Sequence, residues 1–338
     1  MGSTGTISFS DRMKALAKWA DLKMNPRPKH VNLEVTKKCN ARCTFCFYWQ
    51  TKDETVLDSY AAIVRKFDPI IVTISGGEPT LRQDLPQLVR GMKDAVDFVY
   101  ISMVNNGSLL TKEKAKELHA AGLNQINFSL DFPDERHDVY RGMKGNFDRI
   151  VGLVRDIQDI GFDRINFNTF IMRDNLHDVV DIAKLAYDLR IGASYSCYSS
   201  LKTDKDEYMI PPDEITDVHR VVNELVNLKH KYGHIRNSDY YLLNIPDYFV
   251  RGAKDGCRAG KDWVHVTAEG YIQPCSELPI KAHYTEFTES TITENDICDK
   301  CWFACRGESQ APLNLARIGE VVRKPAYELP FESSLDLA

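Results

Sequence analysis

The chain has 338 residues, 43% of them hydrophobic, and a formal net charge of -5. This length and composition allow a large buried core, so we expect one large domain, alone or with a small appendage. The mild charge indicates neither a nucleic-acid nor an anionic-membrane partner. No apolar run is long enough to cross a bilayer, and the N-terminus lacks the apolar core of a signal peptide. We therefore expect a cytoplasmic protein.

The first predicted element is a helix over residues 9–24, where apolar residues recur at helical spacing and Ser10 is available as an N-cap. Its opposite face carries basic side chains, namely Arg12, Lys14, Lys18 and Lys23. A basic amphipathic helix can lie on a membrane, but we expect this one to pack against its own domain. Pro26 and Pro28 end it, and residues 1–29 form an N-terminal helix and linker.

From residue 31 onward, strand-like and helix-like segments alternate. The predicted strands are 31–36, 70–75, 98–104, 125–130, 164–172 and 193–199. The predicted helices are 59–67, 84–95, 112–121, 147–160, 176–189 and 213–232. This α/β order implies parallel strands with right-handed crossovers, in an open doubly wound sheet or a barrel, with ligands at the C-terminal ends of the strands. The pattern breaks after about residue 240, and we place a domain boundary between 235 and 236.

Three of the nine cysteines, Cys39, Cys43 and Cys46, follow directly on the first predicted strand. Disulfides are not expected, because the count is odd and the compartment reducing. Three thiolates on one short loop can ligate three corners of a 4Fe–4S cluster and leave one iron with the open site that a catalytic metal centre needs. A zinc site completed by a remote His or Cys is the alternative, which this spacing disfavours.

The cysteine triplet, with Phe45 before its last member, resembles the defining motif of the radical S-adenosylmethionine (SAM) superfamily. Gly76-Gly77-Glu78-Pro79, which follows the second predicted strand, resembles that family's GGEP element. Two glycines let the backbone approach a ligand closely, and Glu78 offers a carboxylate to the ammonium group of SAM. The resemblance implies a partial (β/α)6 TIM-type barrel over residues 30–235, in agreement with the six strand–helix units.

Further segments resemble motifs of the same family in the same order. They are 105–107, 129–131, 141–142 and 145–147. The resemblance implies that Ser129 and Arg141 bind the carboxylate of SAM, which suits a hydroxyl and a guanidinium, and that Asn106 and Asn168 also contact SAM. Ordinary polarity at strand ends is the alternative interpretation for these four residues.

A second cysteine group, Cys257, Cys275, Cys298, Cys301 and Cys305, lies in the last quarter of the chain. The segment 264–275 is typical of a β-hairpin with Glu269-Gly270 at its turn. The pattern resembles the SPASM and twitch extensions of radical SAM enzymes, which implies a small domain over 236–320 holding one auxiliary 4Fe–4S cluster, and a tail over 321–338. The twitch pattern favours the first four cysteines and leaves Cys305 spare or as a substitute.

Structural zinc is the alternative for this second group. The charged residues that follow it, Arg306 and Glu308, either shape the surroundings of the metal or lie at the surface.

Cys197 stands apart from both groups, on the sixth predicted strand. If Cys197 faces the barrel interior, its thiol could donate or receive a hydrogen atom and would be catalytic. The interpretation that we favour is that Cys197 is a small buried residue of the core. Tyr195 and Tyr198 lie on opposite faces of the same strand, so one of them can line the cavity. The nine histidines show no metal-like spacing.

By resemblance, an electron donor such as flavodoxin or ferredoxin reduces the first cluster, SAM is cleaved, and the 5′-deoxyadenosyl radical abstracts a hydrogen atom from the substrate. A fully ligated auxiliary cluster could accept an electron from the substrate, for an oxidation or a cross-link; a rearrangement is also open. We rank a small-molecule substrate first, a ribosomally made peptide second and a lipid third. The competing hypothesis is a non-catalytic iron–sulfur or zinc protein, against which the GGEP segment argues.

Overall fold

One sheet organises the chain, and the computed structural model describes residues 7–201, 203–252, 254–293, 298–312, 314, 317, 319–320 and 325–327. The strands are β1 His30–Thr36, β2 Ile71–Gly76, β3 Tyr100–Asn105, β4 Gln125–Ser129, β5 Arg164–Ile171, β6 Gly192–Cys197, β7 Trp263–Val266, β8 Tyr271–Gln273 and β9 Ala282–His283. Their order is β6-β5-β4-β3-β2-β1-β7-β8-β9. In this order, neighbouring strands are parallel from β6 through β1 to β7 and antiparallel from β7 through β8 to β9. The edge strands β6 and β9 do not pair with each other, so the barrel is not closed.

Helices follow the parallel strands as the alternation predicts. They are α1 Phe9–Met24, α2 Ala61–Phe67, α3 Leu85–Lys93, α4 Lys112–Ala121, α5 Arg136–Arg141, α6 Asn146–Ile157, α7 Val179–Asp188, α8 Ile215–Tyr232, α9 Asp239–Leu243, α10 Ile245–Arg251 and α11 Ala304–Gln310. All six predicted strand–helix units are confirmed. The short helices α5 and α9 to α11 were not predicted, because five to seven residues carry too little periodicity to be recognised.

The two faces of the parallel sheet differ in chemistry. The outer face, represented by Leu33 and Ile74, is apolar and belongs to the core packed beneath the helices. The inner face is polar: Asn127 Nδ2 donates to Ser102 Oγ at 2.8 Å, and Asn166 Nδ2 donates to Asn127 Oδ1 at 3.0 Å. Parallel sheets buried on both faces are normally hydrophobic on both. The alternation here therefore marks a barrel interior built for polar contacts.

The C-terminal region continues the barrel sheet. β7 pairs in parallel with β1, from His30 opposite Trp263 to Leu33 opposite Val266. The predicted hairpin is confirmed: β7 and β8 are joined through a turn at Gly270, whose φ of +94° suits glycine. The segment that carries the second cysteine group is thus attached to the barrel through a strand, beyond the boundary placed at 235/236. The predicted tail 321–338 lies outside the described residues except for 325–327.

Helix α1 has the predicted bounds and packs against its own domain as expected, but its N-cap is not the predicted one. Its N-cap is Ser8, which accepts from the backbone N–H of Asp11, whereas Ser10 lies within the first turn. The helix rests on the barrel through its polar side and has no buried residue, so its apolar stripe is not the packing face. In the described part of the chain, no helix is long and apolar enough to span a membrane.

Candidate active site

The first cysteine group lies on the loop that leaves β1, and the segment after β2 holds that loop in place. The backbone N–H of Gly77 donates to the Thr36 carbonyl at 2.8 Å, and that of Glu78 donates to the Lys38 carbonyl at 2.8 Å. These two hydrogen bonds fasten the start of the cysteine loop to the neighbouring strand end. The position of Cys39 therefore depends on the residues that follow β2.

The need for two glycines has a different cause from the one expected. A Cβ on Gly76 would lie 2.2 Å from the Thr36 carbonyl oxygen, and a Cβ on Gly77 would lie 2.1 Å from that of Lys38. Gly76 also has a φ of +118°, which side chains other than glycine rarely adopt. The close approach that these glycines permit is thus made by the cysteine loop itself, although both also line the cavity described below.

Cys43 is buried and Cys39 and Cys46 are half-buried, and the three thiols are close enough to influence one another. Burial raises the pKa of Cys39 to about 12, with further increases from Glu78 and the two other cysteines. Burial also raises the pKa of Cys43 to about 11, while the Arg141 guanidinium, whose Nη1 lies 3.9 Å from the sulfur, acts in the opposite direction. A thiol that resists ionisation on its own loses its proton when a metal binds the sulfur. The group therefore suits a metal cluster better than free thiolates.

Glu78 and Asn106 connect the ends of β2 and β3 to the cysteine loop. The Glu78 carboxylate is 1% exposed and accepts from the backbone N–H groups of Asn106 at 2.7 Å and Thr80 at 3.0 Å. Burial raises the pKa of Glu78, and these hydrogen bonds lower it. Asn106 Nδ2 in turn donates to Oδ1 of Asn40, which lies inside the cysteine loop. The contacts fix both side chains in the wall of the cavity.

Arg141 enters the site from α5 and is held by Asp131, which follows β4. Arg141 Nε and Nη2 each lie 2.7 Å from Asp131 Oδ2, and the Asp131 side chain is fully buried. Burial alone would lower the pKa of Arg141, but Asp131 and Cys43 outweigh it and raise the pKa. The guanidinium also lies 5.5 Å from the ring centroid of Phe45. Arg141 is thus a fixed cation beside the cysteine loop.

These residues surround one cavity of about 310 Å³ at the C-terminal ends of the strands. The predicted residues that line it are Cys39, Phe45, Cys43, Cys46, Gly76, Gly77, Glu78, Asn106, Ser129 and Arg141. Phe45 packs edge-on against Phe170 and Tyr208, which closes the outer side of the loop. Tyr198 lines the cavity and Tyr195 lies in the core, as opposite faces of β6 require.

Three predicted site residues lie elsewhere. Pro79 is buried at the start of a short turn, and Asn168 is paired with Ser129 in the sheet, but neither is part of the cavity lining. Cys197 points to the outer face of β6, where its sulfur accepts from the Tyr241 hydroxyl at 3.5 Å within the hydrophobic core. The catalytic interpretation of Cys197 was therefore wrong in its geometry, because odd-numbered residues of β6 face the helices.

The second cysteine group meets around a smaller cavity of about 30 Å³. All five sulfur-bearing residues line it, namely Cys257, Cys275, Cys298, Cys301 and Cys305. Burial raises the pKa of Cys301 to about 11 and that of Cys305 to about 12, so these thiols also resist ionisation without a metal. The hairpin supplies one side of this cavity and the segment around α11 supplies the other.

Arg306 is a buried cation beside this second group. It is fully buried, lines the cavity, and donates from Nη1 to the Cys301 carbonyl at 2.7 Å. Its charge acts to lower the pKa of Cys257 and Cys301. Glu308 accepts from the backbone N–H of Ser238 at 2.8 Å. The surface interpretation was wrong for Arg306, which is positioned to offset negative charge on the thiolates, whereas Glu308 is half-buried and does not line the cavity.

The two cavities share one wall. Five residues line both of them: Asn32, His265, Ser276, Glu277 and Phe303. Ser276 Oγ donates to Glu277 Oε1, while Glu277 Oε2 and His265 Nδ1 are buried without a hydrogen-bond partner among the described residues. His265 Nε2 lies 3.3 Å from Glu34 Oε1. These residues were missed, although the alternation of polar and apolar residues along β1 and β7 was a signal for Asn32 and His265.

Neither cysteine group, as far as the structure describes it, forms a site for a single metal ion. Within the described ranges, no three His, Cys, Asp or Glu side chains lie close enough together to hold one metal ion. A 4Fe–4S cluster gives each corner iron its own thiolate, so its ligands need not meet at one point. Buried and half-buried thiols around a cavity, with a buried arginine beside each group, fit a cluster of this kind.

Comparison with known proteins identifies the first site. Residues 33–186 match the family model described as the Radical SAM superfamily. They span β1 to α7 and include the first cysteine group, the GGEP segment, Ser129 and Arg141. This part of the chain is a radical SAM domain, and the protein is a radical SAM enzyme. Membership implies a 4Fe–4S cluster and SAM as cofactors.

Individual relatives agree with this assignment. The chain is 28% identical over 282 residues to the AdoMet-dependent heme synthase of Nitratidesulfovibrio vulgaris, an alignment that covers 76% of each protein. It is 32% identical over 171 residues to the probable GTP 3',8-cyclase of Saccharolobus solfataricus, with coverage of 48% and 54%. The structure of Streptococcus suis SuiB bound to S-adenosylmethionine has a TM-score of 0.63 at 17% identity and covers 82% of this chain and 69% of SuiB. That likeness shows a shared fold.

Proposed function

We propose that this radical SAM enzyme oxidises a small polar substrate that carries hydroxyl or amine groups, with the substrate held between two iron–sulfur clusters. Cys39, Cys43 and Cys46 would hold the first cluster, and four of the five C-terminal cysteines an auxiliary 4Fe–4S cluster. The single observation that carries the proposal is the shared wall of the two cavities. A substrate that touches His265 or Glu277 is within reach of both sites.

The first site has the chemistry to bind SAM. When bound, the cluster and SAM together supply a 5′-deoxyadenosyl radical that abstracts a hydrogen atom. Arg141 offers its cation to the SAM carboxylate and Glu78 its carboxylate to the ammonium, with Ser129 and Asn106 beside them. Asn168 lies next to Ser129 in the sheet and remains a candidate contact. Phe45 and its aromatic neighbours exclude water from the outer side of the cysteine loop.

The charges of the cavity favour a neutral or cationic substrate. In the described lining, Arg141 is the one Arg or Lys side chain, and it is already paired with Asp131. Glu277 presents an oxygen without a partner, and Asn32 and His265 offer further polar atoms. Buried polar atoms bind a matching donor or acceptor and reject a ligand that leaves them unpaired. A triphosphate, such as that of the GTP named for the related cyclases, does not provide matching hydrogen-bonding groups for these polar atoms.

The net reaction balances with one SAM consumed per substrate molecule. The substrate first loses one hydrogen atom, which forms the new C–H bond of 5′-deoxyadenosine. The resulting substrate radical then loses one electron and one proton. An auxiliary cluster held by the C-terminal cysteines would supply an acceptor for this electron, and its reoxidation would return the electron that the external donor had provided. The products are the oxidised substrate, methionine and 5′-deoxyadenosine.

The test uses the anaerobically reconstituted enzyme with dithionite or reduced flavodoxin, and pools of deuterated amino alcohols, polyols, peptides, lipids and nucleotides. We expect about eight irons per chain, on the ligation rules for two clusters. We also expect amino alcohols or polyols to stimulate 5′-deoxyadenosine formation and to transfer deuterium into it. Stimulation confined to nucleotides, peptides or lipids would refute the substrate class.

Two sets of variants separate the parts of the proposal. Replacing Cys39, Cys43 and Cys46 by Ala should abolish SAM cleavage and retain about four irons in the auxiliary site. Glu277→Gln should lower substrate-stimulated cleavage but not the slow cleavage without substrate, whereas Glu117→Gln, an exposed carboxylate on α4, should change neither. Equal stimulation in Glu277→Gln and the parent enzyme would remove Glu277 from the substrate site.

A further inference from the structure

Helix α1 presents its apolar stripe to solvent. Phe9 is 80% exposed, Met13 50%, Leu16 57% and Met24 74%, and all four lie on one side of the helix. The half-buried residues Asp11, Ala15, Lys18 and Leu22 lie on the opposite side, against the barrel. An amphipathic helix normally buries its apolar stripe in the protein. Here the stripe is left for a partner outside the described chain.

The outward orientation is fixed by polar contacts of the inner side. The Lys18 side chain is 8% exposed, forms an ion pair with Asp68, and donates to the carbonyl oxygens of Phe98 at 2.5 Å and Pro69 at 3.4 Å. Rolling the helix to bury Leu16 would pull this ammonium away from three oxygen atoms. The contacts of the buried Lys18 ammonium, among them its ion pair with the half-buried Asp68, therefore specify which face of α1 remains exposed.

A basic cavity of about 670 Å³ adjoins the stripe. Trp19, Leu22 and Lys23 of α1 form one wall of it, and Phe67 and Phe287 contribute apolar surface. Its cations are Lys23, Arg27, Lys29, Lys66, Arg258 and Lys261. Among the residues that the structure describes, Asp262 is the one carboxylate in this lining. The cavity is thus strongly cationic although the whole chain carries a net charge of -5.

Some of these cations are already paired and others are available. Arg258 binds Asp262 at 2.8 Å, and Arg27 binds Asp21 and Asp68. In the part of the chain that the structure describes, Lys66 and Lys261 are exposed and have no carboxylate partner. Free ammonium groups beside an aromatic wall suit an anionic group attached to an apolar body.

The stripe and the cavity lie at the end of the barrel away from the active site. Lys29 and Asp262 directly precede β1 and β7, and Asp68 and Phe98 precede β2 and β3, so these contacts mark the N-terminal ends of the strands. The cysteine groups lie at the C-terminal ends. A surface bound at the α1 end would leave the active-site cavity open on the opposite side.

We propose that α1 and the adjoining basic cavity attach this enzyme to an anionic phospholipid bilayer. Phe9, Met13, Leu16 and Met24 enter the boundary between head groups and acyl chains, and Lys23, Lys66 and Lys261 meet lipid phosphates. Interfacial helices combine an apolar stripe with flanking basic residues in this way, and the strength of their binding depends on the anionic lipid. The attachment is reversible and independent of which substrate the enzyme oxidises.

Vesicle flotation of the full-length reconstituted enzyme tests the proposal. We expect binding to phosphatidylglycerol-containing vesicles, little binding to pure phosphatidylcholine, and loss of binding between 0.1 M and 1 M salt, over which the Debye length falls from about 10 Å to about 3 Å. Lys66→Ala/Lys261→Ala should lower the partition coefficient about 30-fold, since each lysine near an anionic surface contributes about fivefold. Lys116→Ala, an exposed lysine on α4, should leave it unchanged.

The apolar stripe is tested with Met13→Ser/Leu16→Ser, which should abolish flotation. Its matched control is Leu243→Ser/Val250→Ser, because those residues are 56% and 50% exposed on α9 and α10. Retained SAM cleavage shows that each variant is folded. Flotation that persists in Met13→Ser/Leu16→Ser, or that ignores lipid charge, overturns the proposal. A second result also overturns it: the parent enzyme binds no vesicles but is a dimer in sedimentation velocity, and Met13→Ser/Leu16→Ser dissociates that dimer. The stripe would then bind a second copy of the chain.

Discussion

Replacing Gly77 by Ala should remove the first iron–sulfur cluster without unfolding the chain. The added Cβ would lie 2.1 Å from the Lys38 carbonyl oxygen, 2.5 Å from its carbon and 2.7 Å from the Lys37 oxygen. Real Cβ atoms keep at least 3.0 Å from such atoms, so the backbone must move by at least 3.0 − 2.1 = 0.9 Å. All three atoms belong to the backbone that leads into Cys39, and no flexible side chain can absorb the shift.

The displacement has an energetic and a geometric consequence. Overpacking of this kind costs about 1–3 kcal/mol of folding stability. A shift of the cysteine loop also breaks or lengthens the 2.8 Å hydrogen bonds that Gly77 and Glu78 make with it. Because a metal site tolerates little displacement of a ligand, we expect iron to fall from about eight to about four per chain, and SAM cleavage to be lost.

The assay is anaerobic reconstitution followed by iron and sulfide determination, detection of 5′-deoxyadenosine, and urea unfolding. Gly91→Ala is the matched control, because a Cβ at that position of α3 meets no atom within 4 Å. That variant should keep its iron and gain about 0.5–1 kcal/mol, since alanine is the better helix former. A Gly77→Ala enzyme with full iron and normal SAM cleavage would refute the inference that GGEP positions the cysteine loop.

Two further predictions concern buried charges. Asp131→Asn should destabilise the fold by about 3–5 kcal/mol in urea unfolding, because it leaves the Arg141 guanidinium buried without its counter-charge. Adding Arg141→Gln should recover part of the lost stability. Equal stability of the parent and Asp131→Asn would contradict the assignment. His234 is fully buried, and burial lowers its pKa to about 4, from an ordinary value of 6.5. The unfolded chain therefore binds more protons than the folded chain between these values, so this contribution to stability is complete above pH 6.5 and is lost as the pH falls toward 4. Unfolding at pH 7.5 and pH 5 should show a smaller loss in His234→Gln than in the parent, and an identical loss would exclude His234 as the cause.

Local sequence patterns were sufficient for the barrel and for the first site. Strand and helix periodicities repeat within each segment, so all six units were found, and α4 was placed at its observed bounds. Cys39, Glu78 and Asn106 each follow a strand and Ser129 ends one, and the C-terminal ends of parallel strands meet at one edge. Their convergence around one cavity follows from that rule alone.

The second site was predictable in its residues but not in its connection to the first. The spacing of five cysteines indicated a cluster, and the structure places all five around one cavity. Nothing local showed that β7 would pair with β1, which brings His265 beside Asn32 in the register of the sheet. The shared wall depends on a contact between residues more than two hundred positions apart, and such pairing leaves no trace in either segment.

By itself, the sequence determined the enzyme class and the order of the elements, and it predicted which cysteines would meet metal, because these are carried by short motifs and local periodicity. Only the tertiary structure decided which way side chains face. Cys197 turned out to face the helices, and α1 placed Lys18 inward and Leu16 outward. The partners of Lys18 lie 50 to 80 residues along the chain, in Asp68, Pro69 and Phe98. A hydrophobic stripe predicts that a helix has two faces, but the contacts of the buried Lys18 ammonium select the face that meets the protein.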